Sequence, residues 1–215
     1  MRLVEIMRPN PKIVTPASTI GEAFRLLREN RIRHLPVIDQ GKLVGIVSDR
    51  DLRDALPSSL LNHEDDEIVF SRPVTEIMKH EVITGHPLDF LEDAAKTVYM
   101  HKVGCLPIVD GDELVGIITE SDIFHNLVEL FGVNRPSSHI EVEVEDRVGV
   151  LAEVSNVFRD AQTNVTSVIV YPCRVPTRKL LVFRVQTIDP RNVLQLLKER
   201  GFHVVAPIDE GGPLS

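Results

Sequence analysis

The chain repeats one motif at an offset of 71 residues: HLPVIDQGKLVGIVSDRDL at 34–52 and CLPIVDGDELVGIITESDI at 105–123. Each copy holds a β-branched run, a short turn, a second apolar run, and a hydroxyl residue three positions before an aspartate. Self-similarity at a fixed spacing indicates a duplicated structural unit. We therefore expect two units of the same fold in the first two thirds of the chain.

Each unit is predicted to follow the order β-α-β-β-α. Short strands are expected at 13–15 and 82–84, because β-branched residues cluster there. Thr19 and Glu22 form a capping box that opens the first helix, and the equivalent helix is expected at 89–99. A tight hairpin follows, and Ser48 or Thr119 then caps the second helix. A single unit of about 55 residues would have a marginal core, so we expect the two to pack as one domain.

The pattern changes after a Gly, Pro and Ser-rich boundary at 132–138. The residues from His139 onward predict strand, helix, strand, strand, helix, strand, with an antiparallel sheet and both helices on one face. This βαββαβ arrangement is ferredoxin-like, so the whole chain is predicted to be α+β. The predicted organisation is repeat 1 at 1–56, a solvated acidic connection with some helix at 57–71, repeat 2 at 72–131, the boundary at 132–138, the third unit at 139–209 and a tail at 210–215.

Composition excludes several classes of protein. No apolar run approaches the roughly 18 residues of a membrane span, and the first ten residues lack the apolar core of a secretory signal. The net charge is −8 and the chain has no Trp, which argues against nucleic acid as a partner. Lys and Arg exceed Asp and Glu only at 1–56, which favours one local anionic ligand. Cys105 and Cys173 form no metal or disulfide pattern, so we expect a cytoplasmic protein.

No catalytic or metal-binding motif is evident in the sequence. It contains no GxSxG, HExxH, GxGxxG or phosphate-binding loop, and its eight histidines are scattered. His80 and His86 flank Glu81, but their spacing matches no recognised metal site. We therefore expect a protein without enzyme activity, metal or cofactor.

The two Gly-Ile-(Val/Ile)-(Ser/Thr)-x-x-Asp endings resemble those of a cystathionine-β-synthase (CBS) domain pair. The third unit resembles an ACT domain, through Asp146-x-x-Gly149-Val150-Leu151 and Asn164-Val165. The layout as a whole resembles the acetoin utilisation protein B family. That resemblance implies a regulator that binds an adenosine-containing nucleotide (AMP, ADP or ATP) in two clefts between the CBS repeats. It also implies a homodimer that controls another protein, with a role in acetoin catabolism and sporulation.

Site residues are carried over from the CBS pair position by position. In the Ser/Thr-x-x-Asp motif the Asp would bind the ribose hydroxyls and the Ser or Thr would bind ribose or phosphate. The residues before Leu-Pro would face phosphate, and a threonine of the opposite repeat would line the base pocket. One cleft would then contain Arg33, His34, Ser48, Arg50 and Asp51, with Thr84 opposite. The other would contain Gly104, Cys105, Thr119, Ser121 and Asp122, with Thr15 opposite.

The chemistry of these residues supports two interpretations. An aspartate can accept both hydrogens of a vicinal diol, which suits a ribose. The same Ser48-x-x-Asp51 and Thr119-x-x-Asp122 spacing also forms a capping box that merely satisfies a helix end. The two roles can coexist.

The two clefts are not expected to be equal. The first copy places Arg33, His34 and Arg50 where the second has glycine, cysteine and serine. A guanidinium on phosphate is a strong charge-assisted contact. We therefore expect a phosphorylated adenosine to prefer the cleft of Asp51. The cleft of Asp122 would hold an uncharged adenosyl group or stay empty.

The ACT resemblance implies an amino acid or similar small ligand at a dimer interface. Its binding residues would be Asp146, Gly149, Val150, Leu151 and Asn164, with Gly149 letting the backbone approach the ligand. The alternative is an ordinary strand-to-helix turn whose Asp146 caps the helix. For the whole chain, the rivals to a nucleotide-sensing regulator are a ligand-free interaction scaffold and an enzyme of acetoin breakdown.

Overall fold

The computed structural model describes residues 1–55, 63–134 and 136–206. The chain divides into two compact units, the first ending at His125 and the second beginning at Asn126. Both units combine helices with strands that pair antiparallel, so the predicted α+β class is confirmed. Among the described helices, none has the length and apolar character needed to cross a membrane.

The first unit contains both sequence repeats as far as His125, and their elements match from the first α-helix of each onward. Repeat 1 consists of β1 (Arg8–Pro9), α1 (Ile20–Asn30), β2 (His34–Asp39), β3 (Lys42–Ser48) and α2 (Asp49–Ala55). Repeat 2 consists of α4 (Leu91–His101), β4 (Cys105–Asp110), β5 (Glu113–Thr119) and α5 (Glu120–Leu130). A further helix, α3 (His63–Ser71), lies between them.

The predicted caps and turns are confirmed. The Thr19 hydroxyl accepts a hydrogen bond from the Glu22 amide, and the Glu22 carboxylate accepts one from the Thr19 amide, which completes the capping box of α1. Gln40 and Gly41 both have positive φ, 47° and 84°, as the tight hairpin between β2 and β3 requires.

The short strands predicted at 13–15 and 82–84 are wrong. The structure has only single parallel bridges, from Val14 to β2 and from Gly85 to β4. The Val14 carbonyl accepts a hydrogen bond from the Ile38 amide, and the Val14 amide donates to a carbonyl of β2. Pro16, two residues later, has no amide hydrogen to continue the ladder. Pro87 ends the second bridge in the same way.

Helix α4 begins at Leu91 rather than at the predicted residue 89. Asp89 is held in a turn, because its amide donates to the His86 carbonyl and its carboxylate accepts from the His86 amide at 2.7 Å. The Asp89 carbonyl also accepts from the Leu3 amide at 2.9 Å. These bonds keep the residue outside the helix.

The segments that precede the two repeats are exchanged between them. Near the N-terminus, Leu3 is fully buried against repeat 2, and β1 pairs with β5. One repeat later, Val74 is fully buried against repeat 1, and Lys79 bridges to Ile46 of β3. Each repeat is therefore completed by the segment that belongs to the other.

The acidic connection predicted at 57–71 packs more closely than a solvated segment would. The Phe70 ring of α3 lies 5.5 Å from the Phe24 ring of α1, between ring centroids. A Cβ added at Gly21 would lie 3.2 Å from Phe70, so α1 and α3 are in close contact there. Residues 57–62 of this connection lie outside the described part of the chain.

The second unit has the predicted βαββαβ order. Its sheet is arranged β7-β8-β6-β9, and one apolar core joins β6 and β8 to both helices. The Phe158 and Phe183 rings lie 4.5 Å apart at its centre. The predicted tail at 210–215 lies outside the described residues. The elements are β6 (Ser138–Glu145), α6 (Val150–Asp160), β7 (Val165–Pro172), β8 (Arg178–Val185), α7 (Arg191–Glu199) and β9 (His203–Ala206).

Candidate functional site

Both Ser/Thr-x-x-Asp motifs form the predicted helix caps. Oδ2 of Asp51 accepts from the Ser48 amide at 2.8 Å and from the Ser48 hydroxyl at 2.5 Å, and the Asp51 amide donates back to that hydroxyl. Asp122 and Thr119 repeat the arrangement at 3.0 Å and 2.6 Å. One carboxylate oxygen of each aspartate is therefore committed to its helix, which leaves Oδ1 for other contacts.

The two Oδ1 atoms have different surroundings. Oδ1 of Asp122 accepts from the Arg8 guanidinium at 2.6 Å and 3.2 Å. Oδ1 of Asp51 lies 3.8 Å from the ammonium of Lys79, which occupies the position equivalent to Arg8. Burial would raise the pKa of Asp122, but hydrogen bonds from Thr119 and Arg8 outweigh it and hold that pKa below its usual value.

A cavity of about 390 Å³, here named the first cleft, lies beside Asp51. Ser48, Arg50 and Asp51 reach it from repeat 1, while Val82 and Ile83 form part of its apolar wall from repeat 2. The remaining lining residues are Arg33, His34, Ile46, Asp49, Arg53, Lys79, Glu81, Lys102, Val103, Gly104, Cys105, Pro107 and Glu120.

A second cavity of about 370 Å³, here named the second cleft, lies beside Thr119 and Ser121. It has the same construction with the repeats interchanged. Repeat 2 supplies Ile117, Thr119 and Ser121, and repeat 1 supplies Arg8, Pro9, Asn10, Pro11, Lys12, Arg31, Ile32, Arg33 and His34.

The expected division of residues between the clefts is only partly observed. The first cleft does bring Arg33, His34, Ser48, Arg50 and Asp51 together. The second does hold Thr119 and Ser121, and it adjoins Asp122 through Arg8.

Four placements differ from the expectation. Gly104 and Cys105 line the first cleft rather than the second. Thr15 and Thr84 are exposed and line neither cleft. Gly104 lies against His34 of repeat 1, beside the cleft of Asp51. The wall residues Val82 and Ile83 precede Thr84 by two and one positions, whereas Pro11 and Lys12 precede Thr15 by four and three.

Arg33 and His34 are shared between the clefts. Nη2 of Arg33 lies 3.4 Å from the Ser121 hydroxyl, across in repeat 2. His34 lies against Gly104, where an added Cβ would be 2.9 Å from Nε2 of the imidazole. Burial, and next the positive charge of Arg33, lower the pKa of His34, which favours the neutral ring.

The expected charge difference between the clefts is reversed. The first cleft is lined by five Lys or Arg residues but also by four Asp or Glu residues. The second is lined by four Lys or Arg residues, and no Asp or Glu is found among its described lining residues. The prediction of a more basic first cleft failed because it considered only the residues before Leu-Pro and after the capping hydroxyl. It therefore left out Arg8, Lys12 and Arg31.

A signal for the missed cations was present in the repeat itself. Arg8 and Lys79 are equivalent at the offset of 71 residues, as are Arg31 and Lys102. Each pair places a cation at the same position in both clefts. Extending the comparison of repeats upstream of the motif finds Arg8 and Arg31, but not Lys12, whose equivalent is Ile83.

The structure does not gather the expected ACT residues into one site. Val150 is buried in the core, while Asn164 follows the far end of the 11-residue helix α6 and donates to the Gln186 side chain at 3.1 Å. A helix of that length spans roughly 16 Å, so Asn164 is remote from Gly149 and Leu151. Within one chain these residues are therefore separated, and the ligand site at a dimer interface stays a prediction.

The alternative role of Asp146 as a helix cap is wrong. Its Oδ1 lies 2.7 Å from the ammonium of Lys179, and the residue at the start of α6 is Gly149, with no side-chain cap. Gly149 has φ of 89°, a left-handed conformation that favours glycine. This conformation explains the glycine without a ligand.

Candidates for other chemistry are few. Among residues 1–55, 63–134 and 136–206, no group of three or more His, Cys, Asp or Glu side chains could hold a metal ion. Burial raises the pKa of Cys105 to about 12, so its thiol is not activated as a nucleophile.

Family models match most of the chain. The CBS-domain model matches residues 3–58 and 74–129, and the ACT-domain model matches residues 138–202. The CBS domain-containing protein YhcV of Bacillus subtilis is 36% identical over 113 residues, which are 53% of this chain and 76% of YhcV.

Two solved structures resemble the CBS pair. AcuB from Vibrio cholerae, named for acetoin utilization, is 36% identical with a TM-score of 0.53, and the match covers 63% of this chain and 98% of AcuB. CBSX2 of Arabidopsis thaliana, solved in complex with AMP, is 28% identical with a TM-score of 0.51. That match covers 60% of this chain and 98% of CBSX2.

Proposed function

The chain belongs to the CBS-domain family and carries an ACT domain after its CBS pair, and from that premise we propose that it is a non-catalytic regulator that binds an adenosine-containing ligand in the first cleft. The observation that carries the proposal is the environment of Asp51. Asp51 lines the first cleft, and its Oδ1 meets a cation only at 3.8 Å, so we expect a ribose diol to be able to bind it.

The rest of the first cleft suits an adenine nucleotide. Val82 and Ile83 offer an apolar wall for the base. Arg50 and Lys102 supply positive charge for a phosphate, and the carboxylates that also line the cleft limit the charge it accepts. The likeness to CBSX2, which is solved with AMP, supports a ligand of this class.

Regulation follows if the ligand favours one arrangement of the two repeats. The first cleft combines residues of both repeats, so a bound nucleotide would stabilise their mutual packing. We propose that the ACT domain couples to this change or senses a second small ligand. The same proposal includes a cytoplasmic homodimer that regulates another protein.

A role in acetoin utilisation, including growth or sporulation on acetoin, is supported by the likeness to AcuB, of which the chain covers 98%. In this role the protein would respond to an adenine nucleotide rather than act on acetoin. Incubation of the purified chain with acetoin should therefore give no turnover.

Thermal melting with a ligand panel tests the proposal. AMP, ADP, ATP and S-adenosylmethionine are compared with GMP, which has the same sugar and phosphate but a different base. A ligand at a hundredfold excess over Kd stabilises the folded state by about 2.7 kcal/mol, which shifts the melting temperature by several degrees. A shift with an adenosine compound and none with GMP is the expected result. No shift with any of them would favour a ligand-free scaffold in which the motifs serve only as caps.

A further inference from the structure

We infer that the second cleft is a separate site for a compact, multiply charged phosphate anion, and that Arg8 excludes a ribose from it. The two clefts have the same construction, but this chain equips them with different chemistry. This site is distinct from the proposed adenosine site, because it is the equivalent cavity formed with the repeats interchanged and its ligand contains no nucleoside.

The first step is the charge of the lining. Arg8, Lys12, Arg31 and Arg33 line the second cleft, with no Asp or Glu among its described lining residues. Arg8 is paired with Asp122, but Lys12, Arg31 and Arg33 still leave the cavity of about 370 Å³ with an excess of positive charge, which attracts a multiply charged anion. The first cleft has nearly balanced charge, so the two cavities differ in the charge they favour.

The second step is the loss of the ribose-binding group. Arg8 donates to Oδ1 of Asp122 at 2.6 Å, while Oδ2 of the same carboxylate accepts from Thr119. Both oxygens are thus engaged by cationic or capping donors, and a diol would have to displace a charge-assisted bond. The same contact leaves the guanidinium at the edge of the cavity, where it can also meet an anion.

The third step concerns the base. The position of Ile83 in the first cleft is occupied in the second by Lys12, an exposed cation. An ammonium at that wall suits phosphate oxygens better than a purine face. Arg33, held by Ser121 at 3.4 Å, adds a guanidinium where the first cleft has Gly104.

The ligand chemistry is a phosphate chain, and it has two sources: a free polyphosphate, or the phosphate tail of a nucleotide held in the first cleft. Arg33 and His34 line both cavities, so the second source would pass beside these two residues. The structure favours the free anion, because the cations of Arg8, Lys12 and Arg31 lie in the second cleft alone.

Calorimetric titration of the full chain with inorganic tripolyphosphate tests the inference. The matched variants are Arg31→Gln and Lys102→Gln, since these residues are equivalent in the two repeats and share a left-handed backbone, with φ of 52° and 53°. The wild type should bind one anion per chain. Arg31→Gln should weaken that binding by about threefold or more, whereas Lys102→Gln should change it by less than about twofold.

Separate arms distinguish this inference from the proposed function. Tripolyphosphate binding should survive Asp51→Asn, the variant that removes the capping carboxylate of the first cleft. Absence of tripolyphosphate binding, or an equal loss in Arg31→Gln and Lys102→Gln, would overturn the inference. Binding of ATP that depends on Arg31 without any binding of tripolyphosphate would also overturn it, in favour of the nucleotide tail. Titration with AMP measures binding in the first cleft, and its result does not depend on these outcomes.

Discussion

Nη2 of Arg8 lies 2.6 Å from Oδ1 of Asp122. The equivalent contact one repeat later, between Lys79 and Asp51, is 3.8 Å long. An internal duplication has therefore produced two clefts of one design, in which a guanidinium holds the aspartate of one closely and an ammonium holds that of the other only loosely. This difference underlies the assignment of nucleoside binding to the first cleft.

Replacement of Arg8 should open the second cleft to a nucleoside. In Arg8→Gln the guanidinium is lost, so Oδ1 of Asp122 can accept hydrogen bonds from a ribose. We expect the calorimetric stoichiometry of AMP to rise from one toward two per chain. Lys79→Gln is the matched control at the equivalent position and should leave the stoichiometry at one. An unchanged stoichiometry in Arg8→Gln would show that the pairing does not exclude the ribose.

The crossing of the exchanged segments depends on two equivalent glycines. A Cβ at Gly45 would lie 2.7 Å from Sδ of Met78 and 3.1 Å from the Lys79 carbonyl, and a Cβ at Gly116 would crowd Met7 and Arg8 in the same way. Gly45→Ala and Gly116→Ala should each lower the free energy of unfolding by about 1–3 kcal/mol, as overpacking does. Urea denaturation measures this change, and stability equal to that of the wild type would contradict such a close crossing.

The core of the second unit should depend strongly on its aromatic pair. Phe158 is buried and packs 4.5 Å from Phe183 between ring centroids. Phe158→Ala should lower the free energy of unfolding of this unit by about 3–5 kcal/mol, because it leaves a cavity. Leu151→Ala, on the more exposed side of the same helix, is the control and should cost far less. Comparable losses in the two variants, measured by denaturation, would refute the core assignment.

His34 should make stability depend on pH. Its pKa is lowered in the folded state by burial and by Arg33, so the unfolded chain binds the proton more readily than the folded chain. The free energy of unfolding should therefore fall as the pH decreases below about 6.5, the ordinary histidine value. His34→Gln should reduce this slope, while His86→Gln, outside both clefts, should retain it. If His34→Gln leaves the pH dependence of the free energy of unfolding unaltered, another group causes it.

Much of the fold could be predicted because its determinants are local. The capping box at Thr19, the left-handed turn at Gly41 and the alternating pattern of β6 each depend on residues within a few positions of one another. The short strands could also have been rejected from the sequence, since Pro16 and Pro87 lack the amide hydrogen that a longer ladder needs.

The membership of the clefts could not be predicted in the same way. It depends on the burial of Leu3 against repeat 2 and of Val74 against repeat 1. No local sequence pattern predicts which repeat a preceding segment packs against. Gly104 and Cys105 line the first cleft because Gly104 lies against His34 of repeat 1, a contact between repeats that no local pattern predicts. Gly149 likewise has a left-handed backbone, a requirement that the sequence alone does not reveal.

The most direct measurement compares AMP affinity in Asp51→Asn and Asp122→Asn by calorimetry on the full chain. Asparagine retains an oxygen for the helix cap in both variants, so the two changes perturb the fold alike. Loss of the charged acceptor in the first cleft should weaken AMP binding roughly tenfold or more, the cost of a hydrogen bond to a charged group, while Asp122→Asn should alter it less than about twofold. Equal weakening, or a larger loss in Asp122→Asn, would contradict the assignment of the nucleoside to the first cleft.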